Sequence, residues 1–287
     1  MEKKLHDLVL VTNKYKDRDL AWFHTVLDYL VSIGFNIRIP SEFAVREHKN
    51  TTVYSDLNEM YKGADGAVLL GGDGTILNAA EYAIPNDCPM IGINLGRMGY
   101  LAELEPEEYS MLARLASGDY RIEERMTLCV EIEDEGKRTV LCENALNDAV
   151  VQHTTGLHCI DLQLSCDNAS VLGYRGNGLI IATPTGSTAY SLSAGGPVLD
   201  PALRCMNVVP ICCVSPAAKP LVFAGNSVMT VENVFDREDN VLLNIDGKIT
   251  VPLPYGAKAI CTGAEKSARM IKIKDNKFFS VLRAKIS

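Results

Sequence analysis

Val68-Leu-Leu-Gly-Gly-Asp-Gly-Thr-Ile-Leu-Asn-Ala-Ala80 is the stretch whose reading decides the fold. An apolar run stops at a Gly71-Gly72-Asp73-Gly74 turn, and a helix-competent segment starts at Thr75, with Ile76, Leu77, Ala80 and Ala83 on one face and Pro85 just past its end. Three glycines around one carboxylate let the backbone approach a bound group and turn its amides toward it. Such a turn at a helix start suits a phosphate, because unpaired N–H groups and the helix dipole both favour an anion there. Asp73 is the odd residue. Its carboxylate repels phosphate and fits a hydroxyl, a metal or a proton better; the bland alternative is a tight strand-to-helix turn with a capping Asp.

Outward from the turn, strand and helix patterns alternate. Leu8 to Thr12 reads as a buried strand, Asp19 to Ile33 as a helix capped by Gly34, and Phe35 to Ile39 as a second strand closed by Pro40. A loose polar segment follows, then a short helix near Asp56 to Tyr61, a third strand at Ala67 to Leu70 and a fourth at Met90 to Ile93. This is the pattern of an open parallel α/β sheet. Ligands of such sheets bind beyond the carboxyl ends of the strands, where Gly71 to Thr75 falls. The turn Asn94 to Leu101, with two more glycines, falls on the same edge.

Past a helix at Pro106 to Ala116 the pattern changes to closely spaced strands: Tyr120 to Glu133, Thr139 to Cys142, Ala149 to Gln152, Ile160 to Ser165, Ser170 to Tyr174, Leu179 to Thr183, Val208 to Val214, Ser227 to Val231, Val241 to Ile245 and Ala257 to Cys261. Many strands with little helix indicate a β-rich, sandwich-like or barrel-like domain. The expected division is an α/β domain over 1–104, a β-rich domain over 105–267, and a segment 268–287 that returns to the first.

Composition bounds the function. The chain has 287 residues, 47% hydrophobic and 22% charged, as an ordinary globular protein does. A net charge of −8 argues against a nucleic-acid partner. The N-terminus lacks the apolar core of a signal peptide and no run approaches a membrane span, so a cytoplasmic location without a membrane partner is expected. Nine cysteines without Cys-x-x-Cys spacing read as small buried hydrophobes, and the His153/His158 pair lacks a third metal ligand nearby.

The second informative stretch runs from Gly176 to Pro197. A buried strand enters a hydroxyl-rich turn, a short helix is predicted around Ser187 to Ala194, and a Gly195-Gly196-Pro197 turn closes it. Thr183, Thr185, Ser187, Thr188, Tyr190, Ser191 and Ser193 put seven hydroxyls within eleven residues. Helix capping explains one or two of them, and a polar small-molecule pocket accounts better for the rest.

Gly71-Gly72-Asp73-Gly74-Thr75 together with Thr183-Pro184-Thr185-Gly186-Ser187-Thr188-Ala189-Tyr190-Ser191 resembles the bacterial NAD kinase family, with further matches at Asn94 to Leu101, Asn147-Asp148, Gly195-Gly196-Pro197, Asp246-Gly247 and Phe279 to Ile286. The first motif is shared with diacylglycerol kinases and 6-phosphofructokinases; the second is specific. The resemblance implies transfer of the γ-phosphoryl group of ATP, with Mg²⁺, to the 2′-hydroxyl of the adenosine ribose of NAD, at an active site between the α/β and β-rich domains and in a homodimer or homotetramer. It makes Asp73 the base and places Gly71, Gly72, Gly74 and Thr75 on the phosphates. It implies further that Asn147 and Asp148 hold the adenosine and that Thr188, Ala189 and Tyr190 flank the adenine and the second nucleoside, with Asn177, Thr185, Ser193 and Asp246 completing the nucleotide-binding set. No metal ligands are assigned. Two positions depart from the family pattern: Asp148 stands where Glu is usual and Asn177 where Asp is usual. The rival readings are a lipid or sugar kinase on the related scaffold and a catalytically impaired NAD or NADP sensor.

Overall fold

The computed structural model describes residues 2–44, 49–96, 99–155, 158–215, 218–236, 240–275 and 277–286. Arg97 and Met98, within the predicted second glycine turn, lie outside them. The chain divides into two units, Met1–Glu124 with Ala268–Ser287 and Arg125–Ser267.

In chain order the first part holds β1 (Asp7–Thr12), α1 (Ala21–Ser32), β2 (Asn36–Pro40), β3 (Thr51–Tyr54), α2 (Leu57–Tyr61), β4 (Gly66–Gly71), α3 (Asp73–Ala83), β5 (Met90–Asn94), α4 (Ala113–Ser117) and β6 (Arg121–Arg125). The second holds β7 (Leu128–Asp134), β8 (Lys137–Ala145), β9 (Asp148–His153), β10 (Ile160–Cys166), β11 (Ala169–Gly176), β12 (Gly178–Ala182), α5 (Tyr190–Ser193), β13 (Cys205–Ile211), β14 (Leu221–Ala224), β15 (Met229–Asn233), β16 (Val241–Ile245), β17 (Ile249–Pro252) and β18 (Lys258–Gly263). The chain then returns to the first unit with β19 (Ala268–Lys272) and α6 (Lys277–Ile286).

The first unit is built on a seven-stranded sheet of order β3-β2-β1-β4-β5-β19-β6. β1 pairs in parallel with β2 and β4, and β4 with β5. The order reverses between β1 and β4, so the crevice at their carboxyl ends, where Asn13 and Gly72 sit, is the topological switch point of the sheet. Every residue of β4 is buried, which is why it reads as an uninterrupted apolar run. α1 turns Phe23, Val26, Leu27 and Leu30 to the core at helical spacing, and Gly34, just past it, takes the positive φ of 96° that ends such helices.

The returning strand is held by a buried charge pair. Glu103 Oε2 lies 2.8 Å from Lys272 Nζ, while its Oε1 accepts from the backbone N–H groups of Ile273 at 2.9 Å and Lys274 at 2.6 Å.

Several elements differ from their sequence expectation. β3, read as loose polar chain, is an edge strand with its residues exposed or half-exposed, so it carries no apolar run. The helix predicted over Pro106 to Ala116 is a 3-10 helix, Pro106–Leu112, followed by the short α4. The single strand predicted over Tyr120 to Glu133 is two: β6 joins the first sheet and β7 begins the second unit. The division therefore falls at Glu124/Arg125, some twenty residues beyond the 104/105 expectation. The buried link Met126-Thr127 hides it, because apolar alternation runs on without a turn signal.

The second unit packs two antiparallel six-stranded sheets as a sandwich, β11-β10-β15-β18-β7-β8 and β14-β13-β12-β9-β16-β17. Leu128, Val130, Leu162, Leu164 and Val231 from one sheet meet Val151, Leu179, Ile181, Val208 and Leu243 from the other. β14 and β17 were not anticipated; both are four-residue edge strands with alternating half-exposed positions. β12 is buried on both faces, because Val150, Ile180, Val209 and Ala194 form a smaller apolar cluster on the outer side of its sheet. Among the described residues no helix is long and apolar enough to cross a membrane.

Candidate active site

Two groups of residues stand out, one in each unit. In the first unit, β4 ends at Gly71 and α3 begins at Asp73 after an extended Gly72, φ −141° and ψ −167°. The Thr75 hydroxyl accepts from Gly72 N–H at 3.3 Å and from Asn13 Nδ2 at 3.4 Å, which locks the turn onto the loop after β1. A Cβ at Gly71 would overlap that hydroxyl. Thr75 thus shapes the turn from a buried position, and the exposed Gly74 and the first-turn amides are what the turn offers to an anion.

Asp73 is turned away from those amides. Its Oδ2 accepts from Tyr100 N–H at 2.9 Å and its Oδ1 from Leu101 N–H at 3.0 Å. Gly99 permits this, since a Cβ there would overlap Oδ1. A carboxylate has about four lone-pair sites, so each oxygen keeps acceptor capacity for a substrate proton.

In the second unit the organising residue is Asp246, in the tight turn between β16 and β17. Asp246 and Gly247 both take positive φ, 52° and 70°, as a type I′ hairpin requires. The Asp246 carboxylate accepts from Leu146 N–H at 2.8 Å, Asn147 N–H at 2.8 Å and Asp148 N–H at 3.1 Å. Burial pushes its pKa up against those three hydrogen bonds. Asp148, 5% exposed, is pushed up to about 7, first by burial and then by the nearby Asp246 charge. Two carboxyl groups are thus held where hydroxyl or amine donors would be welcome.

They line a cavity of about 350 Å³ together with Asn147, Val150, Gln152, Ala189, Tyr190, Asn244 and Gly247. Asp148, Val150 and Gln152 are alternate residues of β9, so the strand period of two places them on one face, and Asn244 of β16 stands two residues before Asp246 of the turn. The helix predicted over Ser187 to Ala194 is broken at Ala189, φ −99° and ψ −128°, into a 3-10 turn (Gly186–Thr188) and α5. That break turns Ala189 and the 42% exposed Tyr190 to the cavity.

Of the seven hydroxyls, Tyr190 lines the cavity and five others are engaged within the protein. Thr183 donates to Leu146 C=O at 2.6 Å and accepts from Gly186 N–H at 3.0 Å. Ser187 donates to Pro184 C=O at 2.6 Å, Thr188 to Thr185 C=O at 3.1 Å, Thr185 accepts from Arg125 at 3.4 Å, and Ser191 accepts from Asn207 at 3.0 Å. Three of these hydroxyls close the turn on itself and two tie it to Arg125 and Asn207, and a Cβ at Gly186 would overlap the Asn147 carbonyl.

Of the positions singled out in the sequence, Asn147, Asp148, Ala189, Tyr190 and Asp246 come together around the cavity. Thr185, Thr188 and Ser193 do not line it. Asn177 does not either: it precedes β12, where its C=O accepts from His153 N–H and its N–H donates to Ile211 C=O. Gln152 and Asn244 were missed, although strand alternation from Asp148 and Asp246 points to both. Lys16, discussed below, carried no sequence signal.

Comparisons with known proteins identify the family. Residues 9–120 match the model of the ATP-NAD kinase N-terminal domain, and residues 146–273 that of the ATP-NAD kinase C-terminal domain. An NAD kinase of Citrifermentans bemidjiense is 32% identical over 281 residues, 97% of this chain and 97% of the relative. One of Moorella thermoacetica is 41% identical over 224 residues, 78% of this chain and 71% of the relative. Among solved structures, an Archaeoglobus fulgidus NAD kinase in complex with ATP superposes with TM-score 0.72 at 25% identity, covering 98% of each chain. Yeast NADH kinase complexed with NADH shares the fold, TM-score 0.87 at 20% identity over 99% of this chain and 88% of that one. A phosphate-type turn carrying an immobilised carboxylate, a cavity ordered by Asp246, and family models that match both domains lead to one conclusion: the chain belongs to the NAD kinase family of phosphotransferases.

Proposed function

We propose that the second unit's cavity takes the adenosine end of NAD, that Gly71, Gly72, Gly74 and the first-turn amides of α3 hold the phosphates of ATP, and that Asp73 is the general base. The observation that carries this reading is the Asp73 carboxylate, fixed by two backbone amides beside a phosphate-type turn and still able to accept a proton. A ribose hydroxyl attacks poorly unless its proton leaves as the bond forms. Asp73 takes the proton of the 2′-hydroxyl, the ribose oxygen bonds to the γ-phosphorus, the bond to the bridging oxygen breaks, and ADP leaves. Asn147 and Asp148 position the nucleoside, with Ala189 and Tyr190 against its base, which is most of what such a reaction asks of a protein.

Mg²⁺ fits as a companion of ATP. Among the described residues no group of three His, Cys, Asp or Glu side chains could cage a metal, and Mg²⁺ in kinases is held mainly by substrate phosphates and water. Bound there, it neutralises charge on the transferring group. Assembly as a homodimer or homotetramer and a cytoplasmic location, in keeping with nine free cysteines, complete the proposal.

The test is to incubate the protein with ATP, Mg²⁺ and NAD and to locate the added phosphate by phosphorus NMR. Phosphate on the adenosine 2′-oxygen supports the reading, and its absence, or phosphate elsewhere, refutes it. Asn147→Ala should raise KM for NAD at least tenfold, about the value of a charged or well-aligned polar contact.

A further inference from the structure

We propose that Lys16 is a phosphate-binding residue of the donor site, its ammonium neutralising the terminal phosphates of ATP at the Gly71 to Thr75 turn. This rests on the reading that the turn holds the donor phosphates. Lys16 lies in the loop after β1, on the carboxyl edge of the sheet and beside the switch point. That loop is rigid. Asn13 C=O accepts from Lys16 N–H at 3.0 Å and Asp17 N–H at 2.9 Å, its Oδ1 accepts from Tyr15 N–H at 3.0 Å, and its Nδ2 reaches Thr75.

The side chain then crosses both glycine turns. Lys16 Nζ lies 2.5 Å from where a Cβ would stand on Gly72 and 3.0 Å from where one would stand on Gly96. The two glycines open the space that the ammonium occupies. Leu95 N–H donates to Gly71 C=O at 2.6 Å, so the segments around residues 16, 71 and 95 converge at one place.

Electrostatics supplies the reason to expect an anion there. The N-terminus of the eleven-residue α3 carries a partial positive charge. An ammonium parked over it repels it, and the Asp73 carboxylate of the first turn, held by the Tyr100 and Leu101 amides, does not pair with Lys16. Among the described residues Lys16 forms no ion pair. The single Asp73 charge is the counter-charge of this first turn, and a polyphosphate, with several negative charges, would make the two positive groups stable neighbours.

The experiment uses the intact protein with Lys16→Met and Lys16→Arg variants, ATP and NAD kinetics, and inorganic tripolyphosphate as the probe. Lys16 is exposed, so both variants should melt at the temperature of the parent. Lys16→Met should raise KM for ATP or lower kcat by tenfold to a hundredfold, weaken tripolyphosphate inhibition by a similar factor, and leave KM for NAD unchanged; Lys16→Arg should restore most of the loss. If tripolyphosphate competes with ATP equally well in the parent and in Lys16→Met, the assignment of Lys16 is wrong while the turn remains a phosphate site. If it fails to compete in the parent, the phosphate reading of the turn falls and the proposal with it. Equal losses toward ATP and NAD would mark a structural role and overturn it as well.

Discussion

Replacing Asp148 by Asn should stabilise the protein at alkaline pH while damaging NAD binding. Asp148 is buried beside Asp246, and its pKa stands at about 7 against an ordinary 3.8. For an acid raised in this way the unfolded chain loses its proton first, so between about pH 4 and 7 the folded state holds more protons and stability falls as pH rises. At about 1.4 kcal/mol per tenfold, the full loss above pH 7 is about 4 kcal/mol, of which less than half has accrued at pH 5. Asp148→Asn removes the ionisation and keeps the shape. Its stabilisation relative to the parent should therefore be about 2–3 kcal/mol larger at pH 8.5 than at pH 5, read as the difference in unfolding midpoints at the two values. NAD hydroxyls donate best to the ionised form, so binding to the parent should release a proton below pH 7, measured by calorimetry in buffers of different ionisation enthalpy. The variant should lose that release and bind NAD tenfold to a hundredfold less tightly. Stabilisation that is equal at both pH values, or greater at pH 5, would refute the electrostatic account of this residue.

Two further perturbations probe the first unit. Gly99→Ala should lower kcat on the order of a hundredfold by displacing the Asp73 carboxylate that a Cβ would overlap, with KM for NAD nearly constant; steady-state kinetics would show it, and unchanged kcat would contradict it. Lys272→Met leaves Glu103 buried without its counter-charge and should cost about 3–5 kcal/mol of stability in urea unfolding, with the pair variant Lys272→Met/Glu103→Gln recovering part of it.

What could be read in the sequence follows the physics of each element. β4, β5 and β12 were legible because strands buried on both faces must be apolar throughout. β3, β14 and β17 were not, because edge strands need hydrogen bonds on one side only and carry mixed polarity. Asp73 was legible as a carboxylate out of place in a phosphate turn, but its anchoring by Tyr100 and Leu101 joins residues far apart in the chain. The hydroxyl-rich stretch misled in detail. Composition cannot distinguish a hydroxyl that faces a ligand from one, like Thr183 or Ser187, that closes a buried turn. Lys16 was invisible for the opposite reason: one lysine in a polar loop carries no pattern, and its position over Gly72 and Gly96 exists only in three dimensions.

The central claim is that Asp73 performs proton transfer and does little else, and Asp73→Asn tests it most directly. The amide keeps the size of the side chain and one of its two backbone contacts while losing the base. NAD affinity, titrated by calorimetry, should stay within a few-fold of the parent, while NADP formation under saturating ATP, Mg²⁺ and NAD should fall by about 10²- to 10⁴-fold. Retained turnover in Asp73→Asn, or loss of NAD binding in step with activity, would contradict the account.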